Sequence, residues 1–342
     1  MSYTANNNRY KNNNNFRRCG KSGLDLPPIT LGLWKHFGGK KISIESKKII
    51  FRAFDRGVTH FDLANNYGIP FGSAEINFGK ILSKELKKYR NELIISTKAG
   101  YDMWPGPYGN WSSKKYLISS LDQSLLKLKL DYVDIFYSHR FDPNTPLEET
   151  ADALSCIINQ GKALYVGISS YSTKNTIIMN KLLLERGVKC LIHQPSYSMI
   201  NRWVEKDLLK TIHKLGIGCM AFSPLAQGML SDKYIDSIPK NSRANDNTSL
   251  KKHMITESYK HKIKNLSLIA KKRNQSITQM ALSWVLRRKE ITSALIGVRS
   301  VKQLDECLDS LNNLYFKKEE LKIIDRYAKE ENINLWAASS KD

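Results

Sequence analysis

The sequence contains no apolar run approaching the roughly 20 residues that a helix needs to cross a bilayer. Its opening, MSYTANNNRYKNNNN, lacks the apolar stretch of a secretory signal. Membrane insertion is therefore not expected, and the cytoplasm is the expected location. Cysteine is scarce: Cys19, Cys156, Cys190, Cys219 and Cys307 form neither a CxxC pair nor a Cys/His cluster with zinc spacing. That pattern argues against a metal centre and a structural disulfide. Cys190 and Cys219, inside apolar runs, read as buried thiols. A G-x-G-x-x-G after the first strand is also missing. The early segment LGLWKHFGG does not match it, so a Rossmann domain is not supported.

Negative charge is the other shortage. Asp and Glu number 32 against 54 Lys and Arg, a net charge of +22. Such an excess points to nucleic acid or a membrane surface when it is gathered into a patch. Here lysines run through the whole chain, as in KNNNN, KNLSLIAKKRNQ and KKEELKIID, with no basic helix or aromatic–basic stripe. The excess reads as compositional bias, and a nucleic-acid partner is not expected. A basic surface would still attract phosphorylated anions such as a cofactor or a sugar phosphate.

What is present is enough apolar material for a sizeable core, 41% hydrophobic residues including 10% aromatics. Two average domains would fit 342 residues, and so would one α/β barrel. Residues 1–15, with seven asparagines, read as a disordered tail, and residues 16–342 as one barrel domain. FRRCGKSGLDLPPI reads as a short hairpin. From Ile29, apolar strands alternate with amphipathic helices. The strands are ITLGLW (29–34), HFDLA (60–64), LIISTK (93–98), VDIFYSH (133–139), LYVGIS (164–169), CLIHQP (190–195), CMAFSP (219–224) and SALIG (293–297). Helices are expected over 43–57 and 113–128, and over 145–161 with a Thr/Ser-type start, early carboxylates and a terminal glycine. A further helix over 317–330 precedes the ending NINLWAASSKD. Eight unbroken βα units imply a (β/α)8 TIM barrel of the α/β class, with an N-terminal β-hairpin and an extra C-terminal helix. Two long segments, 99–111 and 225–247, follow the third and seventh strands, on the side where such barrels build active sites.

The informative polar residues end apolar strands: Asp62 closes HFD, Lys98 closes IISTK and His139 closes IFYSH. Tyr67 follows in the loop LANNYG. Each alone reads as structure, an ion pair, a rim aromatic or a core histidine. Four converging at three successive strand ends read as a reacting centre. Reducing a carbonyl needs hydride at carbon and a proton for the developing alkoxide. Tyr67 suits the proton, Lys98 would acidify the phenol, Asp62 would hold Lys98, and His139 would donate to the carbonyl oxygen. A hydride donor would find Ser169, Ser170, Gln194 and FSPLAQG (222–228) at later strand ends, with Phe222 or Tyr197 for stacking. GVRSVKQLDEC (297–307) enters a helix whose first N–H groups, with Arg299, would receive a phosphate.

GVTHFDLANNYGIPFGSAEINFG (57–79) resembles the signature of the aldo-keto reductases. TKAGYDMWPGPYG, DYVDIFYSHR, KALYVGISSYS, LIHQPSYS, AFSPLAQGML and ALIGVRSVKQLDE extend the likeness over roughly residues 16–340. It is most similar to the branch holding bacterial glyceraldehyde-phosphate reductases and the β-subunits of voltage-gated potassium channels. YDMWPGPYG and NLWAASS resemble the bacterial enzymes. The resemblance implies NADPH bound across the barrel mouth, with Tyr67 as proton donor supported by Asp62, Lys98 and His139. It places Trp34 and Asp62 near the nicotinamide ribose, and Ser169, Ser170 and Gln194 on the carboxamide. Phe222, Ser223, Pro224, Leu225 and Gln227 would follow nicotinamide and pyrophosphate, and Lys233 and Arg243 would fold over the pyrophosphate. Gly297, Arg299, Gln303, Glu306 and Cys307 would surround the adenosine end, Cys307 standing where the branch usually has asparagine. Phe222 stands where the channel subunits carry tryptophan. Trp34, Tyr67, Tyr101, Trp104 and His139 would line the substrate pocket.

The implied function is NADPH-dependent reduction of small aldehydes, L-glyceraldehyde 3-phosphate and methylglyoxal-like dicarbonyls above all. The alternative is a channel subunit that senses NADP redox state. Those subunits carry asparagine where this chain has His139, which favours a working enzyme. The branch also implies a homo-oligomer, a tetramer or larger. No residue is singled out in the sequence for a substrate phosphate.

Overall fold

The computed structural model describes residues 3–11, 16–240, 242–246 and 250–329. A two-stranded antiparallel hairpin, β1 (Arg17–Arg18) and β2 (Asp25–Leu26), opens the fold. Eight parallel strands follow: β3 (Ile29–Gly32), β4 (His60–Asp62), β5 (Ile94–Ala99), β6 (Val133–Ser138), β7 (Ala163–Ser169), β8 (Cys190–Gln194), β9 (Gly218–Phe222) and β10 (Ser293–Ile296). Each pairs with the next, and β10 pairs with both β9 and β3, so the ring closes. This is the expected (β/α)8 barrel with its hairpin and extra terminal helix.

The helices around the barrel begin with α1 (Ile44–Asp55), α2 (Ser73–Ile81), α3 (Lys114–Leu128), α4 (Leu147–Asn159), α5 (Thr173–Glu185) and α6 (Leu208–Leu215). The short α7 (Arg243–Asp246), then α8 (Glu257–Lys272), α9 (Ile277–Leu286), α10 (Val301–Asp309) and the terminal α11 (Lys318–Tyr327) complete the set. Local chemistry starts several of them. The Ser43 and Ser113 side chains accept from the N–H groups of Ser46 and Tyr116, capping α1 and α3. The start of α4 differs from expectation. Pro146 occupies the cap position with no side-chain bond, and Glu148 and Glu149 in the first turn are left to meet the positive helix end.

Strand side chains alternate between two apolar layers. Phe61, Phe136, Val166 and Ile168 pack outward against helix residues such as Phe54, Phe78, Leu117 and Leu154. Ile135, Tyr137, Ile192 and Met220 point into the barrel, where Cys19 and Leu26 of the hairpin join them. Lys21 N–H donates to the Gly216 carbonyl just ahead of β9. The Arg17 guanidinium donates to the carbonyls of Ile291 (2.7 Å) and Leu286 (2.8 Å) ahead of β10. The hairpin is thus fastened over the end where strands begin. The other end carries the long loops.

Several strands stop short of their apolar runs: β3 at Gly32, β4 at Asp62, β8 at Gln194 and β9 at Phe222. At Pro195 and Pro224 the chain has no N–H to continue the ladder, whereas Leu33 and Leu63 each still donate one bond to the next strand, at Asp62 and Ser96. Residues 3–11 also differ from the disordered tail expected. Tyr3 stacks on Phe51 at 4.1 Å and donates to Asp55 at 2.7 Å. Ala5 is buried, and Arg9 pairs with Glu92. Buried rings and charge-assisted bonds offset the ordering entropy that an asparagine-rich composition suggests is lost. Residues 1–2, 12–15 and the ending NINLWAASSKD lie outside the described residues. No described helix is long and apolar enough to cross a membrane.

Candidate active site

Asp62 ends β4 and Lys98 lies two residues beyond the neighbouring Ser96 on β5, so both side chains point into the barrel near its open end. Each is fully enclosed. Lys98 Nζ donates to Asp62 Oδ2 at 2.5 Å and to the Leu63 carbonyl at 2.7 Å. Burial pulls the ammonium pKa down while the Asp62 charge pulls it up. The second carboxylate oxygen, Oδ1, accepts from Ser96 Oγ at 2.6 Å.

Tyr67 lies half-buried above this pair, its ring centroid 5.3 Å from Lys98 Nζ. Among the described residues its hydroxyl has no hydrogen-bond partner, so it is free to meet a ligand. The expected acidification by Lys98 is not what this structure shows. Burial first, then the charge of Asp62, pushes the phenol well above its ordinary value. Tyr67 therefore keeps its proton here, with Lys98 close enough to steady a phenolate once the proton leaves. His139 follows β6, with its ring 6.0 Å from that of Tyr67. Burial, then the charges of Lys98 and Arg140, holds the imidazole well below its usual pKa, so it is neutral. Its Nδ1 is enclosed without a partner, which leaves Nε2 as the ring atom on the open side. Gly100 makes room for it: a Cβ there would stand 2.8 Å from His139 Cβ.

Tyr101 sets its ring edge-on to His139 at 4.7 Å, and Trp34, 39% exposed, tilts toward Tyr67 at 6.2 Å. Trp104 packs on Tyr116 at 5.1 Å. Arg140, which the sequence did not single out, is held between Tyr101 (4.2 Å) and Trp111 (3.7 Å). It donates to the Gly100 carbonyl and Asn110 Oδ1, joining both ends of the 99–111 loop. It forms no salt bridge with a described carboxylate. The signal for it was its place directly after His139.

The residues expected to hold a cofactor lie along the later strand ends. Ser169 Oγ donates to the Gln194 carbonyl at 2.9 Å, while Gln194 Nε2 is buried without a partner, a donor suited to an amide oxygen. After β9, Ser223, Ala226, Gln227 and Gly228 all take left-handed backbone angles, and the Ala226 and Gly228 N–H groups close the turn on the Ser223 and Leu225 carbonyls. Phe222 and Leu225 are half-buried there, and Pro224 is buried. Across the mouth, the Arg243 guanidinium lies 6.0 Å from the Trp34 ring and feels the charge of Arg299. Burial, then Arg299, Arg243 and Lys35, keeps His36 below its usual pKa. Like charges gathered in this way suit an anionic ligand such as a pyrophosphate or 2′-phosphate. Gly297 faces open space, and Lys233 is exposed.

Four residues expected at the cofactor are engaged within the chain. Glu306 accepts from Ser276 Oγ at 2.7 Å, and Gln303 Oε1 accepts from Arg299 N–H at 2.9 Å. Cys307 is 2% exposed and packs in the core, burial pushing its thiol up to about 12. Tyr197, offered for stacking, is buried against Trp284 and donates to Glu205.

Comparison with known proteins agrees with this geometry. Residues 28–329 match the Aldo/keto reductase family; the chain belongs to it, and it is an oxidoreductase. Two relatives, the L-glyceraldehyde 3-phosphate reductases of Escherichia coli O157:H7 and of Escherichia coli strain K12, are each 53% identical over 345 residues. The match covers 99% of this chain and 99% of each relative.

Proposed function

We propose that the protein uses NADPH to reduce small aldehydes to alcohols, with L-glyceraldehyde 3-phosphate and methylglyoxal-like dicarbonyls as substrates. The observation that carries this reading is the fully enclosed Asp62–Lys98 pair beside an unpartnered tyrosine hydroxyl and a neutral histidine. NADPH, when bound, supplies the hydride that reaches the carbonyl carbon. His139 donates from Nε2 to the carbonyl oxygen and gathers its growing negative charge. Tyr67 gives that oxygen its proton, and the phenolate left behind is stabilised by Lys98 until solvent reprotonates it. Asp62 keeps Lys98 charged and in place.

Ser169, Ser170 and Gln194 would hold the carboxamide, and Trp34 and Asp62 would lie at the nicotinamide ribose. The turn from Phe222 to Gln227, with Lys233 and Arg243, would follow the pyrophosphate. Gly297, Arg299, Gln303 and Glu306 would surround the adenosine end. The relatives' name points to a phosphorylated aldehyde, and Arg140 is the cation beside the site that would take the phosphate. Exposed Ile69, Phe71 and Ile76 support a homo-oligomer, as surface a second copy would cover.

Absorbance of NADPH followed over a panel of aldehydes tests the reading. Turnover of L-glyceraldehyde 3-phosphate is expected, falling at least about a hundredfold in Tyr67→Phe while cofactor binding holds. No turnover of any aldehyde, or unchanged turnover in Tyr67→Phe, would overturn it.

A further inference from the structure

Beneath the reacting centre, five polar side chains form a row inside the barrel, all fully enclosed. Ser293 on β10, Thr30 on β3, His60 on β4 and Ser96 on β5 come from four adjacent strands, and the row ends at Asp62. Ser293 Oγ lies 2.8 Å from Thr30 Oγ1, which lies 3.1 Å from His60 Nδ1. His60 Nε2 lies 2.9 Å from Ser96 Oγ, which lies 2.6 Å from Asp62 Oδ1.

Counting protons sets the direction of every bond. The Asp62 carboxylate, paired with Lys98, only accepts, so the single Ser96 hydroxyl proton is committed to it. Ser96 must then accept from His60, whose proton therefore sits on Nε2. A neutral imidazole has one proton, so Nδ1 is bare and accepts from Thr30, which in turn accepts from Ser293. Neutrality agrees with the surroundings: burial, helped by Lys98 and opposed by Asp62, brings His60 down to about 4. All four donors thus point at one carboxylate, and such chains strengthen along their length.

We propose that His60 and Ser96 are positioning residues for the reduction, a one-way hydrogen-bond row that holds the Asp62 carboxylate fixed so that Lys98 stays beneath Tyr67. With Lys98 on Oδ2 and Ser96 on Oδ1, the carboxylate is held at both oxygens. The groups facing Asp62 are Lys98 and Ser96 from β5, Tyr67 from the loop after β4, Tyr137 from β6 and His60 from its own strand. The role in turnover rests on the function proposed above; the direction of the row does not.

Two measurements test it. Nitrogen-15 NMR of the histidines in the intact wild-type protein should show His60 neutral and protonated on Nε2 from pH 6 to 8. A proton on Nδ1, or a charged ring in that range, overturns the row whatever the enzyme reduces. In turnover, Ser96→Ala leaves Oδ1 without its donor, so the carboxylate can turn and Lys98 lose its place beneath Tyr67. The kcat should fall about tenfold while KM for the aldehyde holds. NADPH affinity, read by fluorescence, should hold, and Ser96→Thr should restore kcat. A Ser96→Ala enzyme that binds NADPH with wild-type kcat makes the row a structural filler and overturns the positioning role. Should Ser96→Ala fail to fold, the same reading is taken from His60→Leu, which removes the donor toward Ser96 and should lower kcat with NADPH affinity held. Unchanged kcat there overturns the role.

Discussion

Replacing Lys98 by methionine removes a cation from a fully enclosed pair while keeping most of the side-chain volume. Asp62 is then left in the barrel with its Oδ2 unpaired, and the Leu63 carbonyl loses a 2.7 Å donor. Breaking a buried pair from one side costs about 3–5 kcal/mol, and the orphaned carbonyl adds about 1 kcal/mol. Against a total stability of about 5–15 kcal/mol, that is a large loss. Urea unfolding of Lys98→Met, Asp62→Asn and the double variant measures it as a cycle. The double variant should be more stable than the sum of the singles implies, by about 2 kcal/mol or more, because no lone charge remains. A loss under about 1 kcal/mol, or costs that add within about 0.5 kcal/mol, would refute the claim that the two charges stand together.

Acid should also weaken the wild-type protein through its buried imidazoles. His60 is held down to about 4 and His193 to about 3, both by burial first, against an ordinary value of 6.5. Their protons are taken up in the unfolded chain alone between pH 6.5 and about 4, so stability rises with pH there. Urea midpoints at pH 7 and pH 5 should differ, with a limiting slope of about 2.7 kcal/mol per unit from these two groups; equal midpoints would contradict it. Arg140→Gln should raise KM for a phosphorylated aldehyde about tenfold and leave methylglyoxal unchanged, as steady-state kinetics will show. Gly100→Ala, with its Cβ 2.8 Å from His139 Cβ, should cost about 1–3 kcal/mol in thermal unfolding and lower kcat more than it changes KM.

The convergence of Asp62, Lys98 and His139 on one rim was legible because each strand announces its own end. An apolar run that closes on Asp, Lys or His brings that side chain to one rim of a barrel, whatever the loops do. His60 and Ser96 were not read because they sit inside runs taken as strand filling. Their signal was the period of two, which puts His60 beside Asp62 and Ser96 beside Lys98 on the inner face. The burial of Cys307 was missed for a similar reason. Leu304, Cys307 and Leu308 form a helical stripe that faces the core. The packing of residues 3–11 rests on Phe51, Asp55, Tyr89 and Glu92, far along the chain. No local pattern reports such partners.

The hairpin that seals the barrel floor also sets a timetable for synthesis. Arg17 emerges early from a ribosome, yet its two carbonyl partners lie 269 and 274 residues later. β3 waits as long for β10, its partner on one side. Until that last strand is made, β3 has an open edge and Arg17 lacks both its partners, while the hairpin can already pack on β6 and β8. That open edge is a place for a chaperone's cover, and ring closure is the event that removes it.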